Sequence, residues 1–327
     1  MRLINILLPL CILSVLITGC RLETAKPSTQ QHILLATDCL NSQDHEIFKV
    51  FEKQTGIKVR ILHLSADEIV SKLKSDGINT EIDCIILGSI FEIDRISRLK
   101  SLQKIKTDSL PKELGTKHMS ENRSLFGLGF DPYIIVTLGD VSKKIRNYSD
   151  LKHVDNWCTD LNSRNDLFPF FSFITSKIQP TSLLSGEDWI HDFNAKKIKT
   201  LEKVDTLIYS TVLFTKYSSF LTKTNSSLKV YKKGKVLFPN QRNGGVYYDM
   251  PCFALIKQAH NFTNAMYFMR AIYASGLNAK INLRLNTFPI SFNSALKKSY
   301  HSIRFKRYSR TPIRLTNNYS IVQSILY

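Results

Sequence analysis

Polar side chains collect where predicted strands end and helices begin in the first half of the chain, and such places can hold a ligand. Open α/β sheets bind ligands at the carboxyl ends of their strands and at helix N-termini, where backbone N–H groups are free. A cluster of hydroxyl, amide and carboxylate groups at these ends therefore predicts a ligand site. The candidates are Thr37, Asp38, Asn41, Ser42 and Ser89.

A second group of candidates lies in the second half of the chain. Tyrosine phenolates are hard donors that suit Fe(III), whereas serine and threonine hydroxyls suit a small anion. The same residue types are also ordinary strand tyrosines and helix caps, so the sequence leaves the two interpretations open. The candidates are Tyr209, Ser210, Thr211, Tyr247, Tyr248 and Asp249.

Sequence signatures of catalysis are missing from the chain. It has no GxSxG, HExxH, paired catalytic carboxylates or phosphate-binding loop, which are the patterns that place nucleophiles, metals and phosphates. It also has no CxxC or His/Cys spacing of a metal cluster. The sequence therefore predicts a binding protein without a cofactor rather than an enzyme.

The N-terminus predicts export. A basic Arg2 precedes an apolar run at 3–17, which is shorter than the roughly 20 residues that span a bilayer and has the size of a signal-peptide core. The end of this run, 17–20, resembles the lipobox of bacterial lipoproteins. That resemblance implies a diacylglyceryl group on Cys20, and two acyl chains anchor a protein durably. Residues 22–31 are polar and typical of a flexible tether.

The composition predicts two lobes and an anionic environment. The chain has 327 residues and a formal net charge of +18. This length exceeds a usual single core, and no second long apolar run follows the signal. Because the chain is predicted to be exported, its charge favours anionic lipid or an anionic ligand over nucleic acid.

Four cysteines remain after the signal peptide and the lipid site are set aside. In an oxidising compartment such residues can pair. The sequence leaves open whether they are buried thiols or form a disulfide. They are Cys39, Cys84, Cys158 and Cys252.

Residues 32–87 alternate between strand and helix patterns. The predicted strands are 32–36, 57–61 and 82–87. Gly56 ends the first intervening helix, and the second opens with a capping box, Ser65 to Glu68, and closes at Gly77. This alternation predicts an α/β fold with a parallel sheet covered by helices on both faces. Further on, 126–138 predicts a long strand and 264–274 a helix.

Seven segments carry a family resemblance in order along the chain. They are FEKQTGIKV at 51–59, SADEIVSKLKSDG at 65–77, NYSDLKHVDNW at 147–157, SGEDWIHDF at 185–193, VLFPNQRNGG at 236–245, QAHNFTNAMYFMRAIYAS at 258–275 and LNTFPI at 285–290. Together with Asp83, which precedes a buried strand, they resemble the ferric-iron-binding group of ABC-transporter solute-binding proteins. The resemblance covers nearly all of residues 33–327.

The resemblance implies a type 2 periplasmic-binding-protein fold, in which two α/β lobes are joined by hinge strands and the ligand lies between them. Lobe one is expected at 33–130 plus 246–285 and lobe two at 131–245, with the tail 286–327 packed on it. It further implies a monomeric substrate-binding component of an ABC importer, whose partners are a permease and an ATPase. With the lipid anchor, the protein is expected on the periplasmic side of a membrane or at the cell surface.

The chain departs from the group at its iron ligands. Val212 and Leu213 stand where the resemblance places an adjacent tyrosine pair, and a basic residue expected near Asp131 is missing. After the first strand, 38–40 reads Asp-Cys-Leu instead of an Arg-His-Tyr-like segment. The ligand is therefore left open between ferric ion and a small anion such as a sugar phosphate. A non-transport interaction or sensory lipoprotein on the same fold is a further alternative.

Overall fold

The described part of the chain begins after the predicted signal and tether. The computed structural model describes residues 32–97, 99–110, 114–115, 118–154, 157–159, 170, 199–200, 212–223, 229–242, 244–274, 276–290 and 307. The predicted signal peptide with Cys20, the segment at 185–193 and the candidates Tyr209, Ser210 and Thr211 lie outside these residues.

Short strands, six α-helices and several single-turn helices make up this described part. The strands are β1 (His32–Thr37), β2 (Lys58–His63), β3 (Cys84–Leu87), β4 (Phe126–Gly127), β5 (Gly129–Thr137), β6 (Trp157–Thr159), β7 (Lys199–Thr200), β8 (Val212–Lys216), β9 (Lys235–Leu237), β10 (Tyr248–Asp249), β11 (Cys252–Leu255) and β12 (Phe288–Pro289). The α-helices are α1 (Lys49–Thr55), α2 (Ala66–Asp76), α3 (Ile90–Ser97), α4 (Tyr217–Lys223), α5 (Phe262–Ala274) and α6 (Leu277–Leu285). Short 3₁₀ helices span Ser42–Phe48, Gly77–Asn79, Thr107–Ser109, Gly139–Lys143, Tyr148–His153 and Lys229–Lys233.

The first sheet has the strand order β2-β1-β3-β11-β4. β1 pairs in parallel with both β2 and β3, as the alternation of strands and helices predicted. β11 returns from much later in the chain and pairs antiparallel with β3 and β4. The carboxyl ends of β1, β2 and β3 therefore meet at one edge, where α2 and α3 begin.

Local capping fixes the helices next to this edge. Asn41 accepts the N–H of Gln43 and caps the 3₁₀ helix that leads into α1, and Gly56 ends α1 at a φ of +75°. Glycine reaches this left-handed conformation without a steric penalty. Ser65 and Glu68 form the predicted capping box at the start of α2. These caps confirm the predicted helix boundaries.

The second sheet is organised around β5, a nine-residue strand that is buried along its whole length. β5 pairs with β8 and β9 at its carboxyl half and with β10 and β12 at its amino half. β8 continues the sheet through parallel pairing with β6, which pairs with β7. The two sheets together give an α/β, two-lobed fold.

Aromatic side chains fill the core on each side. Beside the first sheet, the ring of Phe268 packs against the rings of Phe48 and Phe51 at centroid distances of 5.5 and 5.2 Å. Beside the second, Phe214 lies 5.0 Å from Phe170 and 5.9 Å from Tyr133. Edge-to-face and offset aromatic pairs add stability beyond the area that they bury.

Two further predictions concern thiols and membrane-spanning helices. The four cysteines of the body are all free thiols, three of them buried and Cys39 partly exposed. This settles the open alternative in favour of unpaired thiols. Among the described residues, no helix has the length and apolar character needed to cross a bilayer.

Candidate ligand-binding cleft

An acidic pocket lies at the edge where the parallel strands of the first sheet end. It has a volume of about 450 Å³ and is open to solvent on one side. Asp38 enters it directly after β1, His63 closes β2, and Glu92 comes from the first turn of α3. The remaining lining comes from the segment that opens α2, namely Leu64, Ser65, Ala66, Asp67 and Glu68.

Four carboxylates and one imidazole therefore face this pocket. Glu92 is buried, whereas Asp67 and Glu68 are exposed. The Ser65 hydroxyl and backbone N–H both donate to Glu68, and these bonds hold the pKa of Glu68 below its usual value. A concave surface lined by one sign of charge concentrates ions of the opposite sign. The pocket accordingly favours a cation, although the whole chain is strongly basic.

Asp38 connects this pocket to a second group of charged residues. The backbone N–H of Gly88 donates to its Oδ1 at 2.9 Å. Burial raises the pKa of Asp38, the bond from Gly88 opposes that rise, and the nearby carboxylate of Asp249 adds to it. Asp38 is thus a carboxylate in a partly dehydrated position whose charge a bound cation would stabilise.

A buried charge cluster lies beside Asp38, where the two sheets approach each other. Asp131 of β5 and Asp249 of β10 are direct cross-strand partners. The ammonium of Lys216, the last residue of β8, lies 3.0 Å from Oδ2 of Asp249. The other oxygen of Asp249 accepts the N–H of Ile90, which begins α3 on the side of the first sheet. Asp249 therefore joins elements of both sheets.

Asp131 is held from a different direction. The backbone N–H of Ser218 donates to its Oδ1 at 2.9 Å, and the Ser218 hydroxyl donates to its Oδ2. Burial raises the pKa of Asp131 to about 6, while Lys216 and the bonds from Ser218 oppose that rise. The nearby Asp249 adds to it. The carboxylates of Asp131 and Asp249 therefore lie side by side and repel each other.

The side chains of the predicted hydroxyl and amide candidates in the first half form hydrogen bonds with, or cap, the local backbone. Thr37 Oγ1 is buried and accepts the N–H groups of Cys39 and Leu40. Asn41 caps the following 3₁₀ helix, which Ser42 begins. Ser89 Oγ accepts the N–H of Phe91 at the start of α3. Of these five predicted residues, the structure places Asp38 in the pocket.

The predicted tyrosines of the second half pack into aromatic clusters. The ring of Tyr247 stacks on Tyr148 at 4.9 Å, and the ring of Tyr248 lies 5.7 Å from Phe130. Both tyrosines are almost fully buried. Burial raises the pKa of Tyr248, and the guanidinium of Arg307, which lies over Phe130, opposes that rise. Of this group, Asp249 is the residue that joins the charge cluster.

The two residues at which the resemblance places a tyrosine pair lie in β8. Val212 and Leu213 are fully buried at the start of this strand. The strand reaches the cleft at Lys216, and Tyr217 and Ser218 follow it.

No basic residue lies close to Asp131 in the sequence, but strand pairing brings one close to it in space. Lys216 supplies the positive charge from β8, a strand that pairs directly with β5. Glu92, Asp67 and Glu68 of the pocket are not among the residues predicted from the sequence. For Asp67 and Glu68 a local signal exists, because the capping box places Glu68 in the first turn of a helix that follows a parallel strand.

Comparisons with known proteins support the fold and the resemblance. No protein-family model matches the chain. Iron uptake protein A1 of a Synechocystis species is 21% identical over 290 residues, which cover 84% of this chain and 80% of that protein. Trichodesmium FutA, solved with iron and citrate ligands, superimposes with a TM-score of 0.77 at 18% identity, over 90% of this chain and 98% of that one.

A ferric-binding protein from Campylobacter jejuni gives a similar result. Its TM-score is 0.74 at 19% identity, with 90% of this chain and 98% of that chain covered. These structures share the two-lobed periplasmic-binding-protein fold. The fold predicted from the sequence and the resemblance to ferric-iron-binding proteins are therefore confirmed.

Proposed function

We propose that this protein is the lipid-anchored substrate-binding component of an ABC importer and that its cargo is a cation, ferric iron. The observation that carries this proposal is the carboxylate-lined pocket at the strand ends of the first sheet. It occupies the position at which open α/β sheets bind ligands. One similar protein is named for iron uptake and another for ferric binding. Iron is a cation, which agrees with the negative charge of the pocket.

Carboxylate oxygens are suitable partners for such a cargo. Fe(III) is a hard cation that prefers hard oxygen donors, and Asp38 and Glu92 present them from two different strand ends. Among the described residues, no three histidine, cysteine or acidic side chains are already arranged as a metal-binding group. We propose that these carboxylates act as the charged wall of the cleft, and that closure about the hinge strands brings the second sheet onto the cargo.

A small anion such as a sugar phosphate fits this cleft less well. The pocket carboxylates would repel a phosphate. We therefore place ferric iron ahead of an anionic cargo in the transport role.

The anchor and the lobe boundaries complete the proposal. We propose that Cys20 carries the lipid and that residues 22–31 tether the receptor near its permease and ATPase, on the periplasmic side or at the cell surface. We propose further that lobe one comprises 33–130 with 246–285, and lobe two 131–245 with the tail 286–327. In this scheme β10 belongs to the hinge, because it pairs with β5 and leads directly into β11 of the first sheet.

Thermal unfolding with added ligands tests the cargo. A ligand that binds the folded state alone stabilises it by mass action, by about 2.7 kcal/mol at a concentration one hundred times its dissociation constant. We expect ferric citrate or a ferric salt to raise the melting temperature of the purified protein, and phosphate and sugar phosphates to leave it unchanged. Stabilisation by phosphates alone would reverse the assignment, and no response to any of them would favour a non-transport lipoprotein.

A further inference from the structure

The two hinge aspartates form an arrangement that needs a positive charge. Asp131 and Asp249 lie directly opposite each other on β5 and β10, and both are buried. Opposed residues of an antiparallel pair have Cα atoms about 4.5 to 5.5 Å apart. Like charges in that position destabilise the sheet, and buried carboxylates need a counter-charge or hydrogen bonds.

Lys216 supplies that charge from the neighbouring strand. Its side chain is 12% exposed, and its ammonium lies 3.0 Å from the fully buried carboxylate of Asp249. The same ammonium acts electrostatically on Asp131. β8 pairs with β5 so that Lys216 stands opposite Tyr133, two residues from Asp131. The register between β8 and β5 therefore places the Lys216 ammonium beside the two aspartates.

The cluster still contains more negative groups than positive ones. Asp38 lies close enough for its pKa to be raised by Asp249, so three carboxylates lie near one another while the Lys216 ammonium acts on two of them. Carboxylate oxygens are also the ligands that hard multivalent cations prefer. Without Lys216, the cross-strand carboxylates would present adjacent hard donors to any cation in the cleft.

We propose that Lys216 determines where the cleft accepts a cation: its ammonium is a built-in counter-ion between Asp131 and Asp249 that keeps metal ions off these two carboxylates. A cationic cargo is thereby confined to the acidic pocket around Asp38 and Glu92, and the hinge strands keep a neutralising charge when the cleft is empty. This inference rests on the proposed function in treating the cleft as a cation site.

Removal of the ammonium gives a direct test. Lys216→Met keeps an unbranched side chain that is one atom shorter and removes its charge, and Tb³⁺ is a luminescent, hard, trivalent probe. In titrations of the purified full-length protein, we expect Lys216→Met to bind one additional Tb³⁺ per chain, or to bind Tb³⁺ at least about tenfold more tightly than the unaltered protein. Equal stoichiometry and affinity in both proteins would overturn the proposal.

Three further variants separate the local effect from a change in net charge. Lys232→Met removes an exposed lysine away from the cleft and should add no site. Lys216→Arg should keep the additional site closed, because the guanidinium retains the charge. Adding Asp249→Asn to Lys216→Met should abolish the gain, since it removes one of the two carboxylates. An equal gain in Lys232→Met, or a gain that survives Asp249→Asn, would also count against the proposal.

Folding of the Lys216→Met protein provides a second readout. Uncompensated buried carboxylates should lower its melting temperature, and Tb³⁺ should raise that temperature more than it does for the unaltered protein. If the variant is unfolded without a cation, circular dichroism during the titration should show refolding, and the absence of refolding would contradict the proposal.

The titrations also distinguish this inference from the proposed function. A gain of Tb³⁺ binding in Lys216→Met together with no Tb³⁺ binding to the unaltered protein would refute the proposed function and leave the role of Lys216 standing.

Discussion

The carboxyl group of Asp131 titrates in an accessible pH range, because burial raises its pKa to about 6 from a usual value of 3.8. The proton is thus bound more tightly in the folded chain than in the unfolded one. The stability that this difference contributes is fully present below pH 3.8 and is lost as the pH rises through about 6. A shift of roughly two pKa units corresponds to about 3 kcal/mol.

Asp131→Asn should remove this component of the pH dependence. Between about pH 4 and pH 6.5, the unaltered protein should lose up to about 3 kcal/mol of unfolding free energy relative to the variant. Urea unfolding at several pH values in this range measures the difference. The asparagine side chain retains an acceptor for the backbone N–H of Ser218, so the local loop keeps one of its bonds. Parallel pH profiles for the two proteins would show that Asp131 does not titrate in this range.

The residues of the cleft were predictable where the signal was local. Asp38 was predicted because it directly follows an apolar strand, and Asp249 because it lies beside a tyrosine pair near the expected second hinge crossing. Lys216 was missed because its role depends on the pairing of β8 with β5, which brings it beside Asp131. No spacing within one segment reports such a contact. The hydroxyls of Thr37 and Ser89 accept N–H groups of their own loops, and their role in ligand binding stays a prediction.

At the scale of elements, Asp83 links β1 to the loop before α5. Its carboxylate accepts the N–H of Leu34 at 2.8 Å, the N–H of Asn261 at 2.9 Å and the side-chain amide of Asn261 at 3.2 Å. The side chain is fully buried. These bonds hold two parts of the chain together that are far apart in sequence.

Asp83→Ala should therefore be strongly destabilising. It leaves buried donors without an acceptor, which costs about 3 kcal/mol or more, and chemical denaturation with an unchanged m-value measures the loss. Asp83→Asn, which keeps one acceptor oxygen, should lose less. A loss below about 1 kcal/mol for Asp83→Ala would show that water replaces the carboxylate.

The elements of the first sheet followed closely from sequence patterns, whereas the second sheet did not. β1, β2, β3 and their helices are set by alternation, glycine ends and capping boxes, all of which act over a few residues. The insertion of β11 between β3 and β4 depends on pairing between segments far apart in the chain. The same holds for β5, whose four partners come from later parts of the chain, so their register could not be read from local pattern.

At the scale of the whole molecule, charge is distributed unevenly. The chain carries a formal net charge of +18, yet the pocket is lined by carboxylates. A basic surface is attracted to anionic lipid, while the acidic pocket attracts a cationic cargo. This separation of signs suits a receptor that is held near a membrane and binds a cation in its cleft.

The predicted anchor has a direct test of its own. Cys20→Ser removes the thiol that would carry the lipid, so the protein should lose incorporation of labelled palmitate and leave the membrane fraction. Fractionation of cells that express each form measures this change. Because the tether separates Cys20 from the first described strand, the melting temperature should stay unchanged. Equal membrane retention of both forms would refute lipid anchoring at this residue.

The ligand-dependent melting temperature, measured with one altered pocket residue, tests the central claim most directly. Asp38→Asn removes a pocket charge and keeps an acceptor for the N–H of Gly88, while Asp108→Asn removes an exposed acidic charge outside the pocket. We predict that ferric citrate or a ferric salt stabilises the unaltered protein and Asp108→Asn equally, and Asp38→Asn much less. Equal stabilisation of all three proteins, or stabilisation by sugar phosphate alone, would contradict a cation-binding cleft at this pocket.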